Sequence, residues 1–294
     1  MTANMEPERK LSRSSRRRGR RVDWISVGLW IALVIVSFMW LMPFVFILLS
    51  SLKTQSEIVT NLPWTLPGVW QFQNYARAAE TGDIWTLGLN SALIALVKVP
   101  LGIFIAALCA FALARLKVRW HRIILGIIAM GALVPVQVAL GPLFSMMLQF
   151  DLLNTKVGVL LPYLAFGISF QVFILYGFFR SVPRELDEAA ILDGASSWRL
   201  FWQIVVPLAK PALAALFILD FVGTWNEYPM ALALLQTHDQ FTVPLGITSF
   251  QHEHGADYGA MNAYIVLSVL PVLLVYLMFQ RYFVNGAFSG AVKG

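Results

Sequence analysis

Lys98 and Asp220 are ionisable residues set deep inside otherwise apolar stretches of this 294-residue chain. Lys98 lies about midway along the run 84–114 and Asp220 about midway along 211–237, so both fall near the centre of any bilayer those runs cross. A lone charge at that depth costs about 2.5–3.5 kcal/mol on insertion scales. Pairing with each other, facing an aqueous pathway, snorkelling, or pairing with a second subunit would each lower that cost. The first two would also suit an ion relay.

A second group is Trp225-Asn226-Glu227-Tyr228. Aromatic faces beside an amide and a carboxylate suit a sugar, whose ring faces stack and whose hydroxyls hydrogen-bond. The same four residues would also serve as an interfacial aromatic belt with a structural carboxylate. His252-Glu253-His254 offers two imidazoles, but one loop tripeptide gives poor metal geometry and brings no third ligand, so no metal site is expected. The single cysteine, Cys109, excludes an internal disulfide framework and a cysteine-based zinc cluster.

The elements that must position these groups follow from composition. Hydrophobic residues make up 58% of the chain and charged residues 13%, against the roughly 25% charged of soluble domains. Too little polar surface remains to cover that apolar area, so the chain is expected to be an integral membrane protein. Residues 24–52, 123–150, 157–179 and 258–280 contain no Asp, Glu, Lys or Arg, and 84–114 and 211–237 are interrupted only by the charges named above and Glu227. Each is long enough to cross a hydrocarbon core that needs about 20 helical residues. None has the alternation or the short length of a barrel strand. The expected fold is therefore an all-α, six-span transmembrane bundle. Prolines in or beside most spans (Pro43, Pro100, Pro135, Pro142, Pro162, Pro229, Pro271) read as kinks. The first run is too long for a signal-peptide core and lacks a small-residue cleavage pattern, so it reads as a retained span.

Orientation is written in the basic residues. Residues 1–23 form a basic tail with eight Lys and Arg. Placing it in the cytoplasm puts eighteen of the twenty-two basic residues inside, leaving Lys53, Arg77 and Lys156 outside and Lys98 within a span. Six spans then return the C-terminus to the same side. Such a tail favours anionic headgroups, and no nucleic-acid partner is expected. The longest inside connection is 181–210. Glu185, Asp187 and Glu188 suit the positive end of a short helix, with Pro183 at its first position. Gly194 is placed to stop that helix after about three turns. Ser196 or Ser197 can cap a second helix bearing Trp198, Phe201, Trp202 and Val205 on one face, before Pro207 and Pro211 restart the chain as span five.

Glu188-Ala189-Ala190-Ile191-Leu192-Asp193-Gly194-Ala195, followed by Phe201, Ile204, Val206-Pro207 and Pro211, resembles the EAA loop of permease subunits of binding-protein-dependent ABC importers. The usual Leu-Pro is Val206-Pro207 here. Trp225-Asn226-Glu227-Tyr228, the stretch Phe279 to Val284 and the tail Gly290 to Gly294 are similar to the carbohydrate-uptake branch, the maltose-type second permease. The resemblance covers nearly the whole chain and implies a six-span permease domain over 24–294.

It also implies partners: a second permease subunit, two cytoplasmic ABC ATPase subunits carrying ATP and magnesium, and an extracellular or periplasmic sugar-binding protein. No cofactor would be bound by this chain. Glu188, Ala189, Ala190, Asp193, Gly194 and Ala195 would contact the ATPase. Phe250, Gln251, His252, Glu253, His254, Gly255, Asp257 and Tyr258 would reach the binding protein. Trp225, Asn226, Glu227, Tyr228, Lys98 and Asp220 would line the pathway of a sugar, expected to be a di- or oligosaccharide. The chain has no Gly-Lys dipeptide, hence no phosphate-cradling loop, so it is expected to be a transport subunit rather than an enzyme. The location implied is a bacterial or archaeal inner membrane. The rival reading is an ion-coupled secondary transporter relaying charge through Lys98 and Asp220.

Overall fold

The computed structural model describes residues 24–252 and 255–291, with side chains described over 24–251 and 255–281. The basic tail and the tip residues Glu253 and His254 lie outside the described residues. The chain divides into two compact units, residues 1–45 and 46–294. Helix α1 (Trp24–Ser50) begins in the first and runs into the second, continuous through Pro43. At 1.5 Å rise per residue its 27 residues reach about 40 Å, ample for a bilayer.

The second unit is built around α4 (Ile84–Arg115), which crosses between α7 (Lys156–Ser181) and α11 (Lys210–Trp225), with α13 (Tyr258–Ala291) against α11. Helix α4 buries one face at three- and four-residue spacing: Leu87, Asn90, Ser91, Ile94, Ala95, Lys98, Val99, Gly102, Ala106, Ala110 and Phe111. Small residues on that face bring neighbouring backbones close, which is what drives helix association where no water is expelled. Around Ala106 and Ala110 it packs Val172, Leu175 and Phe179 of α7. Toward its other end, Leu87 and Val99 meet Phe221 and Trp225 of α11 and Ala263 and Tyr264 of α13.

Helices α1, α4, α7 and the Tyr258–Arg281 part of α13 are long and apolar enough to span singly. The remaining two expected spans are not simple helices. Residues 123–150 divide into α5 (His121–Gly131) and α6 (Val136–Gln149), bent by 89°. Pro135 lacks the N–H that would continue the ladder and biases Val134 away from helical geometry, so the helix stops and restarts. The expected span 211–237 ends as a helix at Trp225. Asn226 to Tyr228 break it, and α12 (Pro229–Leu234) begins on a proline.

Before α11 come α8 (Glu185–Leu192), α9 (Ser197–Leu200), a π-helical turn (Phe201–Val205) and α10 (Val206–Leu208), and the chain bends 74° at Ala209. Between α1 and α4 lie two short helices, α2 (Gln55–Thr60) and α3 (Gln73–Thr81). Thr54 and Glu57 form a reciprocal capping box at α2. Backbone N–H bonds from Thr54 and Gly68 hold the Glu57 carboxyl below the usual carboxylate range. After α12 the chain forms 3₁₀ turns at His238–Gln240 and Val243–Phe250, then a small hairpin of β1 (Gln251–His252) and β2 (Gly255–Ala256).

Candidate functional site

Helix α8 is shorter than expected, eight residues beginning after Arg184 rather than at Pro183. Its end is as expected. Gly194 has φ +78°, its N–H donates to Ile191 O at 3.0 Å, and Ala195 N–H donates to Ala190 O at 2.9 Å. That pair of bonds satisfies carbonyls a helix end otherwise leaves bare, and the left-handed residue turns the chain sharply. Ser196, not Ser197, then caps α9 by accepting from Arg199 N–H.

What holds α8 to the membrane body is a contact the sequence did not disclose. Arg115, in the last turn of α4, donates to Asp187 Oδ2 at 3.0 Å and to Val182 O at 2.9 Å. The two side chains are 1% and 12% exposed. Both residues are visible in the sequence, but seventy-two positions separate them and nothing local marks them as partners. On the same inward side, Ala190 is buried beside Leu200 and Phe201. Ala190 was expected at the ATPase contact and instead packs within this chain. Glu188, Ala189, Asp193 and Gly194 are exposed, and Ala195 is half-buried. Ile191 and Leu192 add exposed apolar surface, 61% and 88%. The following segment is wedged in place by Phe201, whose ring meets Phe111 of α4 at 5.2 Å.

Deep in the bundle, Lys98 Nζ donates to Asp220 Oδ1, tying α4 to α11. Both side chains are nearly enclosed, at 5% and 11% exposure. Of the arrangements open at the outset, the fold has the two residues pair with each other. Helix α7 borders them. A Cβ on Gly167 would sit 2.7 Å from Lys98 Nζ, so a larger residue there would require the ammonium to shift. Close by, the Gln171 amide is 1% exposed and has no hydrogen-bond partner among the described residues. Sequence reading missed Gln171, although a glutamine in an otherwise charge-free span is itself a signal.

At the other end of α11 the expected pathway residues separate. Trp225 is 4% exposed, stacks on Phe221 at 5.8 Å and donates Nε1–H to Ser268 O at 3.1 Å, so it is a core residue tying α11 to α13. Glu227 is fully engaged. Its carboxylate accepts from Met230 and Ala231 N–H at 2.9 and 3.1 Å and from the Tyr163 hydroxyl at 2.5 Å. It thereby caps α12 and fixes it to α7. Tyr228 is half-buried and packs with the same cluster, leaving Asn226 as the exposed member of the four. Glu227→Ala is therefore expected to lower stability by about 2–3 kcal/mol, with Glu227→Gln intermediate, as read from thermal unfolding of the purified complex.

The loop after α12 is pinned rather than free. Asn154 Oδ1 accepts from Gln236 and Thr237 N–H, Asn90 Nδ2 donates to Asp239 and Phe241 carbonyls, and Ser91 Oγ accepts from Val243 N–H. Phe250, expected at the binding-protein contact, is fully buried against Tyr264. Gln251 is exposed and pairs with Ala256, and His252 pairs with Gly255 through the backbone. Gln55 ties the hairpin base to α2 by donating to Ala256 O and accepting from Tyr258 N–H. Asp257 bonds Arg77 at 3.0 Å, and Tyr258 is 40% exposed. Among the described residues no group of three His, Cys, Asp or Glu could hold a metal ion.

Comparison with known proteins agrees with this architecture. Residues 98–287 match the family described as binding-protein-dependent transport system inner membrane component. The chain is 38% identical over 289 residues to the diacetylchitobiose uptake system permease protein NgcG of Streptomyces coelicolor, covering 97% of this chain and 93% of that protein. It is 33% identical to the trehalose transport system permease protein SugB of Mycobacterium tuberculosis, covering 86% and 93%. The crystal structure of a bacterial ABC transporter involved in the import of the acidic polysaccharide alginate contains a chain with TM-score 0.75 and 25% identity, covering 90% of this chain and 98% of that one. The ion-coupled alternative finds no support among these relatives. With the match spanning the bundle, the α8 loop and the hairpin, this chain is an integral inner-membrane permease of the binding-protein-dependent ABC transport family.

Proposed function

We propose that this chain is one of two membrane-spanning subunits of an ABC importer for a sugar, of the di- or oligosaccharide class carried by its named relatives. A cytoplasmic ATPase pair burns ATP with magnesium and drives it, and a sugar-binding protein delivers substrate from outside. The observation that carries the reading is α8, a helix clamped on its inner side by Arg115–Asp187 and at its end by the Gly194 turn. Its other side presents Glu188, Ala189, Ile191 and Leu192 outward.

A short helix held at both ends moves with the body it is bolted to, which is the property rigid-body rocking between access states requires. Exposed apolar residues beside a carboxylate suit a protein groove more than bulk water. The excess of basic residues supports a cytoplasmic side for α8 and both termini, in the inner membrane of a bacterial or archaeal cell. The hairpin at Gln251–Ala256 then faces the binding protein, where Gln251, Gly255, Asp257 and Tyr258 are the described residues available for contact. Asn226, the exposed member of its tetrapeptide, is the one proposed to meet substrate.

Uptake is expected to fall to background when the phosphate loop of the co-purifying ATPase is broken, and to survive a brief exposure to an uncoupler. An importer that tolerates the first and fails the second would overturn the reading.

A further inference from the structure

We propose that the basic cavity where α4 ends, α5 begins and α7 ends is a binding site for the phosphodiester headgroup of an anionic membrane phospholipid. The cavity holds about 530 Å³ and is lined by Arg115, Lys117, His121, Arg122, Arg180 and Arg184, without one Asp or Glu. Arg115 is spoken for by Asp187. Among the described residues, the side chains of Lys117, Arg122, Arg180 and Arg184 have no carboxylate within ion-pair distance and make no hydrogen bond. Four unneutralised cations around one cavity repel each other, and an anion among them removes that repulsion.

The bland account is that cations gather at helix C-termini to meet the dipole. It covers Arg115 and Arg180, in the last turns of α4 and α7. It does not cover Lys117, Arg122 or Arg184. Moreover α5, eleven residues long, starts at the cavity wall with His121 and Arg122 and has no side-chain cap, so its positive dipole end adds to the cations there. The Arg180 guanidinium is held over the Tyr176 ring at 5.8 Å, which fixes its position on the cavity wall.

A lipid rather than a soluble anion is indicated by what adjoins the charges. Leu116, Val118 and Leu125 line the cavity, and α5 continues from it with Ile123 and Ile127 more than half exposed. A headgroup among the cations would lay its acyl chains along that apolar strip. Basic recesses between helix ends at the membrane surface bind anionic headgroups in this manner. The site borders α8, since Arg184 immediately precedes it and Arg115 anchors it, so the occupant would steady that helix. It requires only that the chain sit in a membrane and is independent of the solute carried.

The test uses the assembled transporter in nanodiscs of phosphatidylcholine, with or without phosphatidylglycerol, with retained lipid counted by native mass spectrometry. The wild type is expected to hold phosphatidylglycerol selectively, and the combined variant Lys117→Gln/Arg122→Gln/Arg180→Gln to bind it on the order of a hundredfold more weakly. Should that variant not assemble, R122Q and R180Q singly are each expected to weaken retention about fivefold. Equal retention by wild type and variants overturns the proposal. So does protection by inorganic phosphate in neutral nanodiscs with no lipid retained, which would mark a soluble-anion site. Loss of the ATPase with lipid retention unchanged would instead mark a protein contact, and also overturns it.

Discussion

Asp220→Ala is expected to abolish uptake and to destabilise the chain by about 3–5 kcal/mol, because it strands the Lys98 ammonium in the bundle interior. Lys98→Met is expected to do the same to Asp220. The two side chains are 5% and 11% exposed, so neither charge reaches water when its partner is gone. The neutral double variant Lys98→Met/Asp220→Leu removes both charges together and is expected to recover wild-type expression and thermal stability, since a desolvated pair often does no better than well-packed apolar residues. Its uptake then discriminates two roles. A purely structural tie between α4 and α11 predicts that uptake recovers too, whereas an ion relay predicts a stable but inactive protein. Single variants that fold and transport like the wild type would show that neither stability nor uptake depends on the pair.

Asp187→Ala is expected to leave the subunit inserted and assembled with its partner permease, yet to drop uptake to background and detach the ATPase on purification. The Arg115 guanidinium, 1% exposed, would keep only the Val182 carbonyl, and the cost of an unpaired buried cation is again about 3–5 kcal/mol, here discharged by local release of α8. Exposed Glu188 offers the contrast. Glu188→Ala is expected to change the unfolding temperature by little, within about 0.5 kcal/mol, while weakening ATPase retention. Measuring stability and co-purification for both separates anchoring from contact. If Asp187→Ala kept uptake near wild type, α8 would not be held in the way described.

Much of this was legible beforehand, for physical reasons that operate locally. A chain with 58% hydrophobic residues and charge-free blocks of membrane length is committed to lipid. Gly194 ends a helix because its missing Cβ permits the φ of +78° that the turn needs. The EAA-type run marked α8 for the same reason any motif does, by fixing residue types at close spacing.

What stayed hidden depended on residues far apart in sequence. The partners of Asp187 and Glu227 lie seventy-two and sixty-four positions away, and hydropathy carries no information about which helix meets which. The same limit misplaced Trp225, Phe250 and Ala190, which look available in a linear reading and are buried by neighbours from α13 and α4. It also hid how completely the chain breaks at Ala132–Pro135 and Asn226–Tyr228, where prolines that read as kinks instead separate two helices. Composition and short-range spacing determined the solvent, the helical class and the position of the α8 loop. Only packing decided which charges neutralise one another and which aromatic rings remain free to meet a ligand, because those outcomes are set by contacts between helices and not by any one helix alone.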